Sequence, residues 1–488
     1  MTPAHRPRPH VTRSSITMTD TLDLGFPALH RVHPFGWIND PNGIHRTADG
    51  RWHVFFQYNP ASTRHEHIHW GHMSSSDLVS WREEPLGPVP RPGEADQGGC
   101  WSGVGLLDHA PDASAAEDAE LSAGPVADGP GAPAVPTLVY SGVDGIENQL
   151  ARVLVTRLDE SGTELVRTGV VAAEVPEVPG LIGIRDPFVF TYGGKRWGIQ
   201  GAGVREGGRF VPTLLLYSCE DLENWELVGT LLHGDDPVAA EHSPADLWEC
   251  PQLVPVGGRW VLLLSRWGHP STYERSTLQV DYLVGDLVDG SDGAPRFAPT
   301  AGGQVDIGPD FYAPQAVVDA DGDRVLLWGW SWEGQQRSQE QTDAQGWAGA
   351  LTFPRELRLD GEELRSLPVP ELRALRSEAL PLEAADDVDV PGATGAGGTV
   401  ELLLETPARA EVRTRGAVTV EILGADGTAR EVLSADDGPA TLFLDASLLE
   451  HLPDAVSPCT LRFYPADGDR VRVRGALAEA WALELPGR

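Results

Sequence analysis

An internal repeat is the feature of this sequence that most restricts its possible folds. The stretch Ser76-Asp77-Leu78-Val79-Ser80-Trp81 returns 144 positions later as Glu220-Asp221-Leu222-Glu223-Asn224-Trp225. Asp40 and Asp186 lie 146 positions apart, so each precedes one copy of the repeat by a similar distance. A fixed period of this kind is typical of architectures assembled from equivalent units.

The repeat divides the chain into five units. They open at constrained stretches 61, 85, 63 and 61 positions apart, namely Asp40, Trp101, Asp186, Glu249 and Asp310. The longest gap contains Asp108 to Ala134, an Ala/Asp/Gly/Pro-rich segment that we interpret as a surface insertion. Within the units, short β-rich apolar runs alternate with turn residues. The sequence therefore predicts a five-bladed β-propeller over residues 29–367, although two adjacent hairpins per unit would fit almost as well.

The segments outside the repeat predict three further regions. Residues 368–376 predict a linker with one short helix. Residues 377–488 return to alternating apolar positions and predict a β-sandwich with a structural role. Residues 1–28 predict an N-terminal extension, partly disordered, in which Met18 is a candidate for the true start. The expected fold class is all-β, a five-bladed β-propeller followed by a C-terminal β-sandwich.

Charge and cysteine usage restrict the partners. A net charge of -35 argues against nucleic acid and anionic membranes, and favours a neutral small molecule. The four cysteines have neither metal-ligand nor redox spacing, so we expect no metal and no cofactor. Their scarcity fits a reducing cytoplasm, and the sequence shows neither a secretory signal nor an apolar run of membrane-spanning length. We therefore expect a cytoplasmic protein, with its oligomeric state left open.

Three carboxylates stand in similarly constrained settings. Asp40 lies in Trp37-Ile38-Asn39-Asp40-Pro41-Asn42-Gly43, Asp186 in Ile184-Arg185-Asp186-Pro187-Phe188, and Glu249 in Leu247-Trp248-Glu249-Cys250-Pro251. Pro41 disfavours helix at Asp40, and the Asn42-Gly43 pair predicts a tight turn that leaves Asp40 at a strand end. We expect each carboxylate to precede a strand. An ordinary Asx-turn at a hairpin tip is the simpler alternative for Asp40 taken alone.

A propeller would bring these carboxylates together, since its innermost strands converge on one axis. Carboxylates that share a pocket are expected to raise one another's pKa values. An ionised and a protonated carboxyl group in one site are what a glycosidase requires. Stretches that combine aromatic faces with amide, indole and hydroxyl groups suit a sugar as substrate; they are Phe55 to Pro60, His69 to His72 and Cys100 to Gly103.

These motifs, in this order, resemble glycoside hydrolase family 32. The family comprises β-fructofuranosidases such as invertases, levanases, exo-inulinases and sucrose-6-phosphate hydrolases. The resemblance extends from about Leu29 to Leu372. It is carried by Trp37 to Gly43, Phe55 to Pro60, Trp70-Gly71-His72, Trp101-Ser102-Gly103, Arg185-Asp186-Pro187, Glu249-Cys250-Pro251 and Asp310-Phe311-Tyr312-Ala313. It implies the family's five-bladed propeller and C-terminal β-sandwich.

The resemblance also implies a role for each catalytic residue. Asp40 would be the nucleophile that forms a covalent fructosyl-enzyme. Glu249 would protonate the leaving oxygen and then activate water. Asp186 would stabilise the transition state. The residues expected to bind the substrate are Asn39, Gln57, Trp70, Trp101, Ser102 and Arg185. The implied activity is retaining, exo-acting release of fructose from sucrose and short fructooligosaccharides.

Two departures from the family pattern and three alternatives remain. Val104 replaces the second serine of a Trp-Ser-Gly-Ser motif, and Gln252 stands where many members carry Asp. Both would affect substrate specificity more than the reaction class. A fructosyltransferase, a sucrose-6-phosphate hydrolase and a non-catalytic sugar-binding protein are the alternatives, and the presence of all three carboxylates argues against the last. Arg64, His65 and His67 could meet a substrate phosphate or merely solvent.

Overall fold

A computed structural model describes residues 23–108, 134–145, 148–271, 274–319, 322, 324–385 and 399–486. Most of the expected insertion between Asp108 and Ala134, and the candidate start Met18, lie outside these ranges. Helices are few: Pro237–His242 and Gln339–Gln345 are α-helices, while Arg275–Thr277 and Pro370–Leu375 are 3₁₀-helices. The last of these occupies the segment that was expected to contain one short helix.

Five antiparallel sheets form a closed ring, which confirms the predicted five-bladed propeller. In each blade the first strand along the chain is the innermost, and the innermost strands of neighbouring blades contact one another around the ring. Blade 1 comprises Gly36–Arg46, Trp52–Asn59, His69–Ser75 and Arg82–Glu83; blade 2 Gly99–Asp108, Val135–Val143, Arg152–Leu158 and Leu165–Ala173; blade 3 Leu181–Tyr192, Lys195–Glu206, Arg209–Ser218 and Glu226–His233; blade 4 Leu247–Val256, Arg259–Trp267, Val280–Asp289 and Pro295–Asp306; and blade 5 Phe311–Val318, Val325–Ser331, Arg355–Asp360 and Glu363–Pro368.

The ring is closed by a late segment that returns to the first blade. Trp347–Ala348 pairs in parallel with the start of Gly36–Arg46, while Ala350–Leu351 pairs with blade 5. One short stretch of chain thus joins the first and last blades through backbone hydrogen bonds. The ring is therefore closed between blades 1 and 5.

The sequence repeat has a local structural cause. Asp77 accepts hydrogen bonds from the backbone N–H groups of Val79 and Ser80, and Asp221 accepts one from Glu223. Each copy is therefore a side-chain-capped turn before the outermost strand of its blade. The tryptophan that closes the copy in blade 3, Trp225, is buried as expected, whereas Trp81 in blade 1 is half-buried.

The C-terminal part forms one nine-stranded sheet that bends into two layers, consistent with the predicted β-sandwich. Arg409–Leu423 pairs with one strand through residues 409–414 and with another through residues 418–423, and Arg470–Leu483 follows it across the bend. Long strands that pass between layers are one way in which two packed sheets join. The remaining strands are Arg376–Ala379, Glu383–Ala384, Val400–Glu405, Ala429–Ala435, Ala440–Asp445, Leu448–Pro453 and Cys459–Arg462.

Two local expectations were wrong. The Asn42-Gly43 pair does not close a turn, because both residues lie inside the eleven-residue strand Gly36–Arg46. Gly43 has a φ of +58° and forms a bulge within the strand instead. Likewise, Asp40, Asp186 and Glu249 do not precede strands or stand at their ends but lie within the innermost strands of blades 1, 3 and 4.

Candidate active site

A bulge interrupts the innermost strand of every blade at an equivalent place. The pairing register with the second strand shifts at this point in all five blades. Asp186, Cys250 and Ala313 adopt positive φ angles of 57°, 47° and 45° there, and a proline follows each of them. Such angles are strained for residues other than glycine and are enriched at functional sites. The bulges turn side chains from different blades towards one another at the axis.

Asp40 lies at the centre of the resulting cluster. Its Oδ2 accepts hydrogen bonds from the Ser102 hydroxyl at 2.5 Å and from Gln57 Nε2 at 3.1 Å. Its Oδ1 accepts one from Asn39 Nδ2 at 3.0 Å, and Trp37 Nε1 donates in turn to Asn39 at 2.7 Å. These donors fix the orientation of the carboxylate.

Asp186 is linked to Asp40 through Cys250. The Cys250 backbone N–H donates to Asp186 Oδ2 at 3.0 Å. The Cys250 thiol lies 3.5 Å from that oxygen and 3.6 Å from Asp40 Oδ2. The Asp186 backbone N–H donates to Ser141 at 2.7 Å, which ties blade 3 to blade 2. One thiol therefore separates the two buried aspartates.

We call the site around Asp40, Asp186 and Glu249 at the propeller axis the funnel, and Glu249 is its most accessible carboxyl group. Its Oε1 accepts a hydrogen bond from Arg185 Nε at 2.8 Å, and its Oε2 lies 2.7 Å from the Tyr312 hydroxyl. The glutamate side chain remains 17% exposed, so it can be reached from the funnel. Arg185 itself is buried, with its guanidinium 4.9 Å from the centre of the Trp267 ring.

Two of the three carboxylates, Asp40 and Asp186, have raised pKa values. Burial raises the pKa of Asp40 to about 6; the Ser102 hydrogen bond opposes this rise, and the charge of Glu249 adds to it. Burial also raises the pKa of Asp186, and the charges of Glu249 and Asp40 raise it further against the opposing effect of Arg185. Both aspartates thus become easier to protonate than ordinary surface carboxylates.

The remaining expected site residues fall into two layers. Asn39, Gln57, Ser102 and Arg185 contact the carboxylates directly, as described. Trp70 lies behind them: its side chain has no exposed surface, and its indole N–H donates to the Trp101 carbonyl at 3.2 Å. Trp101 is nearly buried beside the His65 ring, at a centroid distance of 6.0 Å.

The three basic residues considered for phosphate binding have different surroundings. His65 is exposed in the funnel, where its Nε2 lies 3.0 Å from Gln57 Oε1, and desolvation by the surrounding walls lowers its pKa. Arg64 forms an ion pair with Asp343. His67 is exposed with a φ of +48°. Of the three, His65 makes the direct contact with the Asp40 cluster.

Sequence reasoning gave no role to Cys250 or Tyr312. A signal for Cys250 was present, because the pattern of one residue followed by proline repeats as Asp40-Pro41, Asp186-Pro187, Cys250-Pro251 and Ala313-Pro314. Aligning the units on this pattern places Cys250 beside the two aspartates. It also places Tyr312 in the position that Glu249 occupies in the preceding blade.

Neither departure from the family pattern forms a hydrogen bond to a carboxylate of the cluster within the described residues. Val104 packs in the apolar core between blades 2 and 3. Gln252 accepts a hydrogen bond from the Ala316 backbone N–H at 3.2 Å. Beneath the cluster, Gln315 donates to the Gly103 carbonyl and accepts from the Ile44 backbone N–H. These glutamines join the innermost strands to one another below the site and so form its floor.

Comparison with known proteins identifies the family. A sequence profile of the N-terminal domain of glycosyl hydrolases family 32 matches residues 30–368. The chain belongs to glycoside hydrolase family 32. Membership confirms the resemblance seen in the sequence and the expected class of enzyme, a glycoside hydrolase that releases fructose from fructosides.

Family 32 relatives cover different shares of the chain. Raffinose invertase from Escherichia coli is 32% identical over 365 residues, which is 73% of this chain and 67% of that protein. The sucrose-6-phosphate hydrolase of Klebsiella pneumoniae is 30% identical over 485 residues, 95% of this chain and 94% of that protein. The solved β-fructofuranosidase of Bombyx mori superposes with a TM-score of 0.70 at 24% identity and covers 95% of both chains.

All four cysteines lie within the described residues and are unpaired there. None of the helices in the described ranges combines the length and apolar character needed to span a bilayer.

Proposed function

We propose that this family 32 enzyme is a retaining, exo-acting β-fructofuranosidase that removes fructose from sucrose and short fructooligosaccharides by double displacement. The observation that carries the proposal is the meeting of Asp40, Asp186 and Glu249 from three different blades. The two aspartates are buried and close enough to Glu249 for its charge to raise their pKa values. Closely spaced carboxyl groups favour attack by a carboxylate over attack by water.

Asp40 is the proposed nucleophile. Three side-chain donors hold it in one orientation, which leaves little freedom to lose before it attacks the anomeric carbon. Bond formation then relieves the cost of a buried negative charge. The donors that contact Asp40 also stabilise the carboxylate when it leaves again in the second displacement.

Glu249 is the proposed acid and base. It is the most accessible of the three carboxyl groups and lies on the wall, where the leaving sugar must pass. It would protonate the glycosidic oxygen in the first step and accept a proton from water in the second. Asp186, with Arg185 beside it, is the proposed stabiliser of the fructosyl ring in the transition state.

The floor beneath the cluster supports exo action. Because Gln252 and Gln315 join the innermost strands below Asp40, a fructan chain cannot thread through the axis. A terminal fructosyl unit can enter from the open side. A neutral, small substrate also suits the strongly negative chain, and the four unpaired cysteines support a cytoplasmic location.

Initial rates on sucrose, sucrose 6-phosphate, 1-kestose, inulin and levan, measured under one condition, test the proposal. We expect fructose from sucrose and 1-kestose, little activity on levan, and a fall in kcat/KM on the acid side near the pKa of about 6 given to Asp40. A strong preference for sucrose 6-phosphate would favour the phosphohydrolase alternative. Predominant oligosaccharide products at high sucrose would favour the transferase.

Trapping of the intermediate tests the roles of the residues. Glu249→Gln should slow the natural reaction roughly 10²- to 10⁴-fold. On a fructoside with a good leaving group it should accumulate a fructosyl-enzyme, seen by mass as one added hexosyl unit on Asp40. A label on Asp186 instead would overturn the assignment.

A further inference from the structure

Two side-chain amides contact Asp40, one at each carboxylate oxygen. Asn39 Nδ2 donates to Asp40 Oδ1 at 3.0 Å, and Gln57 Nε2 donates to Asp40 Oδ2 at 3.1 Å. An amide can present either its NH2 group or its oxygen to a neighbour, whereas an ionised carboxylate can only accept hydrogen bonds. Both amides must therefore be held with their nitrogen atoms towards Asp40.

A ring nitrogen contacts the oxygen of each amide on the side away from Asp40. Trp37 Nε1 donates to Asn39 Oδ1 at 2.7 Å, and His65 Nε2 lies 3.0 Å from Gln57 Oε1. An indole nitrogen can only donate, so Trp37 allows one orientation of Asn39. An imidazole nitrogen can donate or accept, so the effect of His65 on Gln57 depends on which of its nitrogens carries the hydrogen.

The other contacts of Gln57 determine the position of that hydrogen. Gln57 Nε2 also donates to Ser102 Oγ at 2.6 Å, and the Ser102 hydroxyl donates in turn to Asp40 Oδ2 at 2.5 Å. Both hydrogens of the Gln57 amide are thus used within the cluster. Its oxygen can only accept, so His65 Nε2 must be the donor.

We infer that His65 is a positioning residue whose Nε2–H fixes the orientation of the Gln57 amide and thereby the two donors at Asp40 Oδ2. The inference rests on the proposed role of Asp40 as nucleophile. Every hydrogen bond in this chain then points towards Asp40. In the opposite arrangement, Gln57 would turn its oxygen towards the carboxylate, and Ser102 would no longer receive a hydrogen bond from Gln57.

This role does not require His65 to titrate. Desolvation lowers the pKa of His65, so the ring is neutral over more of the pH range than an ordinary histidine. The hydrogen on Nε2 is present in this neutral form and also when Nδ1 binds a second proton. The hydrogen bond to Gln57 is therefore available in both charge states.

Two aromatic rings pack beside His65. The Trp37 ring lies at a centroid distance of 6.3 Å and an angle of 74°, and the Trp101 ring at 6.0 Å and 52°. Trp37 therefore donates to one amide and packs against the histidine that contacts the other. These contacts restrict the movement of the imidazole away from Gln57.

A double-mutant cycle tests whether His65 acts through Gln57, on the fructoside that the wild type cleaves fastest. Gln57→Leu should lower kcat/KM roughly 10- to 100-fold, the range for a lost hydrogen bond to a charged group. His65→Phe keeps a ring but removes the donor, so it should cost roughly 3- to 30-fold and less than Gln57→Leu. Added to Gln57→Leu, it should cost less than about twofold. Losses that multiply would show that His65 acts without Gln57 and would overturn the inference.

His65→Gln tests whether a donor alone is sufficient. Its amide N–H can take the place of Nε2 and donate to Gln57 Oε1, so kcat/KM should stay within about threefold of wild type. His233→Phe, at a histidine that is 34% exposed on blade 3, is the control and should leave kcat/KM unchanged. If His65→Gln were as slow as His65→Phe, the donor would not be what matters. Thermal melting of each variant identifies a loss that is due to misfolding.

The position of the ring hydrogen can also be measured without catalysis. In protein labelled with isotopic histidine, nitrogen chemical shifts distinguish the two neutral forms of the imidazole, and His65→Phe identifies the His65 signals. We expect the hydrogen on Nε2 at neutral pH, and a hydrogen on Nδ1 alone would overturn the inference. A wild type that showed the expected form of His65 but released no fructose from any fructoside would count against the proposed function instead.

Discussion

Two regions of this protein bury carboxylates to a similar depth but compensate their charges differently. In the funnel, Asp40 and Asp186 are surrounded by neutral donors, a thiol and another carboxylate. At the contact between propeller and C-terminal sheet, Glu450 Oε2 accepts from Arg355 Nε and Nη2, while Glu450 Oε1 accepts from His30. Arg355 also donates to Asp306 at 2.8 Å.

The pKa directions follow this difference. Burial raises the pKa of Asp40 and Asp186, and the opposing charge of Arg185 beside Asp186 is too small to reverse the rise. Burial acts in the same direction on Glu450, but the charges of Arg355 and His30 outweigh it, so the pKa of Glu450 is lowered. The interface charges thus support folding at neutral pH. The funnel charges oppose it, which is the usual cost of a site that keeps a nucleophile ready.

Asp40→Asn should lower activity and raise stability, and its effect on activity should be the largest of the effects predicted here. Turnover should fall roughly 10⁴-fold or more because the nucleophile is lost. The free energy of unfolding at pH 7 should rise by about 1–2 kcal/mol. The raised pKa of Asp40, about 6, would by itself give a larger rise. The gain is reduced because the new amide group faces one of the donors that bind the carboxylate in the wild type. Chemical unfolding and initial rates measure the two effects.

The pH dependence sharpens this prediction. A raised folded-state pKa makes wild-type stability fall as pH rises from about 4 to about 6, and leaves it level above that range. Asp40→Asn lacks this fall, so the difference in the free energy of unfolding between the variant and wild type should grow from about pH 4 to about pH 6. Replacing the exposed Asp286 by Asn is the control, and it should give no such pH-dependent difference in the free energy of unfolding. A variant less stable than wild type at pH 7 would contradict the contrast between the two regions.

Arg355→Leu should give the largest loss of stability. Arg355 has no exposed side-chain surface, and its removal leaves Glu450 and Asp306 without their cation. Breaking a buried pair in this way costs about 3–5 kcal/mol. The protein that remains folded should keep its kcat on sucrose, since Arg355 makes no contact with Asp40, Asp186 or Glu249 in the described structure.

Arg358→Leu is the control for the interface. Arg358 is 63% exposed and pairs with Glu356, so its loss should change stability by less than about 0.5 kcal/mol. Urea unfolding of both variants at pH 7 gives the comparison. Equal losses in the two variants would show that burial does not determine how much these ion pairs contribute to the free energy of unfolding.

His30→Gln should give a smaller loss that depends on pH. His30 Nδ1 and Nε2 each lie 2.9 Å from a carboxylate, Asp445 and Glu450, so both nitrogens donate only when the ring is protonated. Burial lowers its pKa, but these two partners outweigh burial and raise it. The contribution of His30 is therefore fully present below about pH 6.5 and is lost as pH rises through the raised folded value.

Unfolding curves at several pH values measure this effect. We expect His30→Gln to cost roughly 1–3 kcal/mol near pH 6, with a smaller difference from wild type at alkaline pH. His233, which is 34% exposed, gives the control variant His233→Gln, whose difference from wild type should stay small at every pH. A difference for His30 that grew towards alkaline pH would contradict its assignment as a cation.

The sequence predicted the funnel better than the interface, for a physical reason. The blades repeat, and the turn capped by Asp77 or Asp221 is local, so the period is visible in the residues themselves. His30 and Glu450 are 420 positions apart, and no local sequence pattern predicts their contact. The Asn42-Gly43 turn was predicted wrongly because local turn preference was outweighed by pairing within the sheet.

The smallest expected effect tests where the funnel ends. Val104 departs from the family motif, and restoring the hydroxyl with Val104→Ser would be expected to aid fructose binding if residue 104 faced the site. The structure instead buries Val104 in the apolar core, opposite Val139. The change should therefore cost about 1–2 kcal/mol, from lost apolar burial and a buried hydroxyl. The KM for sucrose should change less than about twofold.

Ser102→Ala, which removes a hydroxyl that does contact Asp40, should change KM or kcat more than Val104→Ser does. A Val104→Ser enzyme with a markedly lower KM would extend the funnel to residue 104 and move the boundary between its polar wall and the core.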